Sequence, residues 1–574
     1  MCFIRKEVFL MKKNIHVLKL MKNNLASQKG FALLATLIFV VALTTFGIAL
    51  LTMTRNDIKL SALQEKSTKA FYLADAGVER AINWLEKQPS PPLAEEVPPV
   101  NLDGIHEFGE LSTGKYTVHM SAGGETGSLV AGYKIVSKGW VTRADGSKVP
   151  REIETLVSIT NFAEYAYFSD EERFPNNANI SGSSGYVGSK IWFTGNDRFG
   201  GKVHSNSELH IVDVPDFVGK ITSTEETIDF WGDDYAEDGS DFPTGEHGFM
   251  DGYELGVEEI TLPRYRNISD LDDESSLQRI AGGSWDKSYI EDNVDTGGND
   301  VYIPNQISGS DKVATGGIYV KGNVESIELD VDNTAGLAGP NSQITISQGN
   351  WSTITTLITS VKQPVTLPTD STLNGVAAGG TVIPADTTLI NKEGTKDYTS
   401  YVGLTNGLLF VDGAINSLEG DKHRGKMSIA STQSITVTDD IYYYDRDTSK
   451  DLFEDDIEDI DDSLGLIAAK DVKIASGAGG YHGDIEIDAI IMALDTSFFY
   501  EGWRNYLKGT LSLLGGLIQK ERGPVGTHNA GVKVTGFSKN YIYDTRMANP
   551  AGGDLPPYFP STGQYEKLWW KEVY

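Results

Sequence analysis

From Phe31 to Met53 the chain runs 23 residues, FALLATLIFVVALTTFGIALLTM, without a charge. As a helix rising 1.5 Å per residue this segment is about 35 Å long, enough to cross the hydrocarbon core of a bilayer. It outruns the roughly 7–15 apolar residues of a secretory signal core. Seven cations (Arg5, Lys6, Lys12, Lys13, Lys19, Lys22 and Lys29) and one anion, Glu7, precede it. Cations flanking a membrane segment stay on the cytoplasmic side, so a single-pass protein of the cytoplasmic membrane is expected, with its C-terminal bulk outside the cytoplasm.

The rest of the composition narrows the partners. At 574 residues the chain exceeds one ordinary core, and several domains are expected. Asp plus Glu number 80 against 49 Lys plus Arg, a net charge of −31. Such a surface repels phosphate backbones, so nucleic acid is not an expected partner. The single cysteine, Cys2, leaves no disulfide framework and no cysteine-based zinc site.

Helical periodicity continues past the membrane segment. Leu63, Ala70, Ala74, Val78, Ala81 and Leu85 recur at helical spacing as an apolar stripe, and Pro89, Pro91 and Pro92 stop the pattern. One helix is therefore expected over 31–87, its first part (31–53) in the membrane and its continuation (54–88) amphipathic. Residues 89–160 then read as a small antiparallel sheet. Lys115–Ala122, Tyr133–Arg143 and Val149–Ile159 are rich in Val, Ile, Thr and Tyr, with turns at Gly123-Gly124 and Asp145-Gly146.

Two motifs in this region carry a family resemblance. The junction Lys29-Gly30-Phe31, where the polar segment meets the apolar one, resembles the processing site of type IV prepilins and pseudopilins. The stretch Ala70–Ala81, AFYLADAGVERA, resembles the motif that follows the membrane helix in PilX-type minor pilins. The resemblance covers about residues 21–160. It implies a prepilin peptidase that cuts between Gly30 and Phe31, with 1–30 as leader, and other pilins and the pilus assembly platform as further partners. Methionines at 1, 11 and 21 allow a start at Met21, which gives the ten-residue leader MKNNLASQKG, a length typical of the family. Phe31 to Met53 would then pack against other pilin helices, with Phe31 at its head and the small residues Ala32, Ala35, Ala42 and Gly47 letting backbones approach. The fifth mature residue would be Ala35, where most pilins carry glutamate; this departure points to a minor subunit.

From 161 to 574 short apolar strands alternate with Gly, Asn, Asp and Ser turns. Lys202-Val203-His204-Ser205, Leu209-His210-Ile211 and Gly219-Lys220-Ile221-Thr222 place three strands within about one coil of a β-helix. Ser428–Ser431 and Leu466–Ala469 are similar to each other at an offset of 38. The fold expected is mainly β with one long N-terminal α-helix: a pilin-like helix and small antiparallel sheet, then a large β-solenoid. The tail Asp554–Trp570 is expected to cap an open solenoid end. No interior helix is expected here.

No phosphate-binding, dinucleotide, metalloprotease or nucleophile-elbow motif occurs. His204 and His210 fall at strand spacing and would share a face, but without a third ligand no metal is assigned. Asp451–Asp462 (DLFEDDIEDIDD) lacks the glycine and spacing of an EF-hand and reads as a solvated loop. Trp192, Phe193, Trp503 and Tyr506 read as core or cap residues. No catalytic residue and no cofactor are assigned, and an enzyme is not expected. Three readings stay open: a minor pilin acting in assembly initiation or as a tip or adhesive subunit, meeting a carbohydrate, host or solid surface; a membrane-anchored carbohydrate-active or carbohydrate-binding β-helix; and an uncleaved envelope scaffold.

Overall fold

The computed structural model describes residues 31–87, 104–107, 113–126 and 129–573, the last range apart from 144, 177–179, 181–184, 196, 274, 292–299, 333–340, 349–353, 393–394, 448–456, 530–531 and 549–553. The chain is mainly β with one long N-terminal helix. That helix, α1, is continuous from Phe31 to Glu86, with a last turn closed by the Lys87 amide on the Trp84 carbonyl at 3.2 Å.

The C-terminal part of α1 lies on an antiparallel sheet of strands β1 (Gly104–Glu107), β2 (Thr113–Thr126), β3 (Leu129–Thr142) and β4 (Lys148–Asn161). Ala74, Val78, Ala81, Ile82 and Leu85 of the helix bury against Met120, Tyr133, Ile135, Ile153 and Val157 of the sheet. The stripe read from the sequence holds except at its start, since Leu63 remains exposed. Alanines on this face let helix and sheet come close. A Cβ on Gly139 would lie 2.3 Å from the Ala70 carbonyl oxygen and 2.5 Å from the Ala74 nitrogen, so β3 can pass only where it carries no side chain.

The fifth strand of this sheet is the C-terminal one, Ser561–Val573, antiparallel to β4. This corrects the expected 161–574 boundary and the tail's expected role. Segment 554–560 does pack on the larger domain, with Phe559 buried beside Gly465 and Pro557 against Gly407. Beyond it, the tail returns to the small sheet, where Trp570 meets Phe71 with ring centroids 5.8 Å apart and Lys567 pairs with Glu79. Asn161 and Ser561 are register partners, so everything between them is an excursion from two adjacent strands.

That excursion is built on two large sheets. One, of eleven strands, is parallel throughout except for its last pair, Asp300–Tyr302 with Ile318–Lys321. Its order does not follow the chain. From β5 (Tyr165–Glu171) the chain steps outward through Lys202–Ser205 and Ile221–Ser223 to Tyr253–Leu255. It then passes through short helices at Tyr265–Ile268 and Leu277–Gly282, which were not expected, and resumes at the opposite end of the sheet. From Ile318–Lys321 it steps back through Leu408–Asp412, Lys426–Ser431, Ser463–Ala468 and Ile490–Ala493 to Leu517–Glu521. That strand pairs in parallel with β5, with Leu517 opposite Tyr167 and Ile518 opposite Phe168. The other sheet has 17 strands, mixing antiparallel pairs such as Ser326–Asp332 with Asn341–Gln348 and parallel ones such as Leu507–Gly515 with Val532–Tyr543.

Successive strands of a parallel stack bury both faces, which suits continuous apolar runs. Ser463–Ala468 is buried at all six positions. The two similar segments near 428 and 466 are direct neighbours, although Ile429 faces Leu466, one residue out of the offset read from the sequence. In the N-terminal tiers Val203 faces Ile221 eighteen residues on, and Leu209 faces Ile228 nineteen on.

Candidate functional site: an uncovered apolar helix

The N-terminal half of α1 has two properties that a membrane or a helix bundle requires. Its apolar window is long enough to cross a bilayer, and none of that window is buried within the chain. Its polar atoms are also satisfied internally. The hydroxyls of Thr36, Thr44, Thr45 and Thr52 donate to the carbonyls of Ala32, Val40, Val41 and Ile48 at 2.8–2.9 Å. Where no water is available an unmade hydrogen bond costs several kcal/mol, so threonine is tolerable here because the helix supplies the acceptor.

Of the residues singled out for processing and packing, Gly30 lies outside the described residues, and Phe31 is the first residue of α1. Ala32, Ala35 and Ala42 are exposed, and a Cβ on Gly47 would meet nothing within 4 Å. At 100° per residue, Ala32, Ala35 and Ala42 fall on one side of the helix. Leu37, Phe39, Val41 and Phe46 are likewise uncovered.

The other sequence candidates separate. His204 and His210 do not share a site, because His204 sits in the eleven-stranded sheet and His210 in a separate pair of strands, Leu209–Ile211 with Ile228–Phe230. His204 is fully engaged, at 2.8 Å from both Thr222 Oγ1 and Asn206 Oδ1. His210 instead faces Asp229 directly across the ladder. Its Nδ1 is 3.3 Å from Asp229 Oδ2 and 3.9 Å from Glu208 Oε2. Burial, and then the nearby Lys190, hold the His210 imidazole below its ordinary pKa. The coil spacing of 18 to 19 residues was the sequence signal that would have paired 210 with 229.

The described end of the acidic run is not a solvated loop throughout. Asp462 is fully buried and accepts the Gly425 amide at 2.6 Å. Phe193 and Trp503 are buried as expected, whereas Tyr506 is exposed. A groove of about 490 Å³ is lined by Asp170, Glu259 and Asp495 together with Arg264, Lys470 and Lys520, a charge-balanced set.

Residues 130–225 match a family described as a domain of unknown function, DUF4900. The match begins in β3 and ends just past the Ile221–Ser223 strand, spanning the passage from the small sheet into the first parallel tiers. No protein of curated function matches the chain. Among solved structures, the competence-associated pilin ComZ from Thermus thermophilus is similar over 88% of this chain and 98% of its own, at 11% identity and a TM-score of 0.25. That score is too low to equate the two folds.

Proposed function

We propose that this chain is a minor, PilX-type pilin-like subunit that carries a large β-solenoid domain and acts without enzymatic turnover. The observation that carries the reading is the division of α1. One half is packed on an antiparallel sheet, and the other projects with no cover from its own chain. Such a helix needs an apolar environment supplied from outside, first lipid and then the helices of neighbouring subunits. The parallel ladders, whose partners recur at 18 to 19 residues in the N-terminal tiers, support the solenoid reading of the larger domain. In this proposal a prepilin peptidase releases Phe31, and other pilins and the assembly platform receive the helix. The bulk beyond Asn161 favours a place at a fibre tip, as initiator or adhesive subunit, over one inside a dense lattice.

The test is mass spectrometry of the mature N-terminus, together with sheared surface fibres probed for the protein. The expected result is a chain that begins at Phe31 and appears in the fibre fraction. A chain that retains Lys29 and Gly30 and stays with the membrane would overturn the proposal in favour of an anchored scaffold.

A further inference from the structure

We propose that Glu208, His210 and Asp229 bind a divalent transition-metal ion of the zinc type, in competition with the ammonium of Lys190. The backbone brings them together. Leu209–Ile211 and Ile228–Phe230 pair in parallel with Leu209 opposite Ile228 and Ile211 opposite Phe230, and these four side chains point into the core. The alternation of a strand then turns His210 and Asp229 to the opposite face, side by side. Glu208, two residues before His210, joins that face. A bridge between Phe193 and Ile211 sets Trp192 beside His210 on the next tier, with ring centroids 5.6 Å apart, and Lys190 beside Glu208.

The spacing suits a small metal ion. Donors about 2.1 Å from a tetrahedral centre stand about 3.4 Å from one another. His210 Nδ1 lies 3.3 Å from Asp229 Oδ2 and 3.9 Å from Glu208 Oε2, and the three donor atoms all fall within 4.8 Å of each other. One imidazole nitrogen with two carboxylate oxygens is a borderline donor set, suited to zinc and its neighbours and poor for calcium, which takes six to eight oxygens.

The independent sign is at His210. It is 6% exposed, and its Nδ1 has no hydrogen-bond partner among the described residues. Buried polar atoms nearly always have one, and this atom faces the two carboxylates. The surroundings also orient the donors. Thr227 Oγ1 donates to Glu208 Oε1 at 3.1 Å, which leaves Oε2 for the ion. Lys190 Nζ is 2.6 Å from Asp229 Oδ2 and 3.6 Å from Glu208 Oε2, so a cation already suits this place. The Lys190 side chain is half exposed, and its flexible stem lets the ammonium swing to water when the metal takes the carboxylates.

The test is calorimetric titration of untagged full-length protein in detergent, stripped with EDTA, with Zn²⁺ alone and then Ca²⁺ alone. The expected result is one saturable Zn²⁺ per chain and much weaker binding of Ca²⁺. Asp229→Asn and His210→Gln should each weaken Zn²⁺ binding at least roughly tenfold. Lys190→Met, at a half-exposed position, should tighten it severalfold. The proposal fails if the wild type takes up no Zn²⁺ saturably or if folded Asp229→Asn binds as the wild type does. Should the His210 or Asp229 variants not fold, unchanged or weaker binding by Lys190→Met overturns it.

Discussion

Arg522 donates to the Glu172 carboxylate at 2.8 Å, both side chains are buried, and 350 residues separate them in sequence. The pair sits where Leu517–Glu521, the last strand of the eleven-stranded sheet in chain order, closes against β5. The Arg522 guanidinium also lies 3.9 Å from the centre of the Phe193 ring and 3.8 Å from Asp197. Burial works against the Asp197 carboxylate, but Lys539 and Arg522 outweigh it and hold its pKa below the usual carboxylate range. Replacing Arg522 by Ala leaves Glu172 as an uncompensated buried charge and Asp197 with Lys539 as its remaining cation, a change expected to cost about 3–5 kcal/mol. Denaturant unfolding measures this. In the double variant Arg522→Met/Glu172→Gln much of the loss should return; equal instability of single and double variants would show that the charge pairing is not what matters.

The close approach of helix and small sheet makes Gly139 the sensitive point of the N-terminal helix-and-sheet module. A valine there drives its side chain into Ala70 and Ala74 and forces the helix outward, at an expected cost of about 1–3 kcal/mol. Limited proteolysis between 54 and 87 should accelerate in Gly139→Val. An unchanged cleavage rate would mean that α1 is held elsewhere.

Removing Ser561–Val573 takes away the neighbour of β4, the contact of Tyr565 with Tyr133 of β3, and the ties to α1 through Lys567 and Trp570. Hydrogen exchange should rise sharply in the truncated chain at those amides of residues 152–161 that point toward the missing strand, since they lose their carbonyl partners while β3 still covers the other edge. Protection equal to that of the full chain would mean that the small sheet stands without its C-terminal strand.

Asp445 supplies a pH dependence. Burial first, then the hydrogen bond shared with Asp461 and the charge of Asp462, push its carboxyl up to about 6. Its folded pKa thus exceeds the value of about 3.9 for an unfolded chain. The proton is bound more tightly in the folded state, so this contribution is fully present below about pH 4 and is lost as pH rises through 6. Asp445→Asn, which mimics the protonated form, should unfold at nearly the wild-type temperature at pH 4 and at a higher one by pH 7. Parallel curves from pH 4 to 7 would refute the shared proton.

What could be read from the residues alone was local. The charge-free run and the stripe from Ala70 to Leu85 define α1 because both signals lie within one helix. The strands of the small sheet were legible for the same reason, through alternation and the turn at Asp145-Gly146. The destination of Ser561–Val573 was not, since a strand's own pattern does not say which sheet will take it. The closure of Leu517–Glu521 on β5 was equally hidden, because the chain winds outward from β5 and returns from the far end, so that the two closing strands stand 350 residues apart with no local pattern to join them. The neighbourhood of His210 and Asp229 was hidden for the same reason: nineteen residues separate them, and only the pairing of two successive coils brings them side by side.

The pairing of Asn161 with Ser561 has a mechanical consequence. A domain hung from one strand can swivel about that single connection, whereas this one leaves and re-enters through two strands clamped edge to edge. Torque applied at the far end must therefore twist a two-stranded strap instead of spinning a thread, and tension is shared between two covalent leads before it reaches the helix.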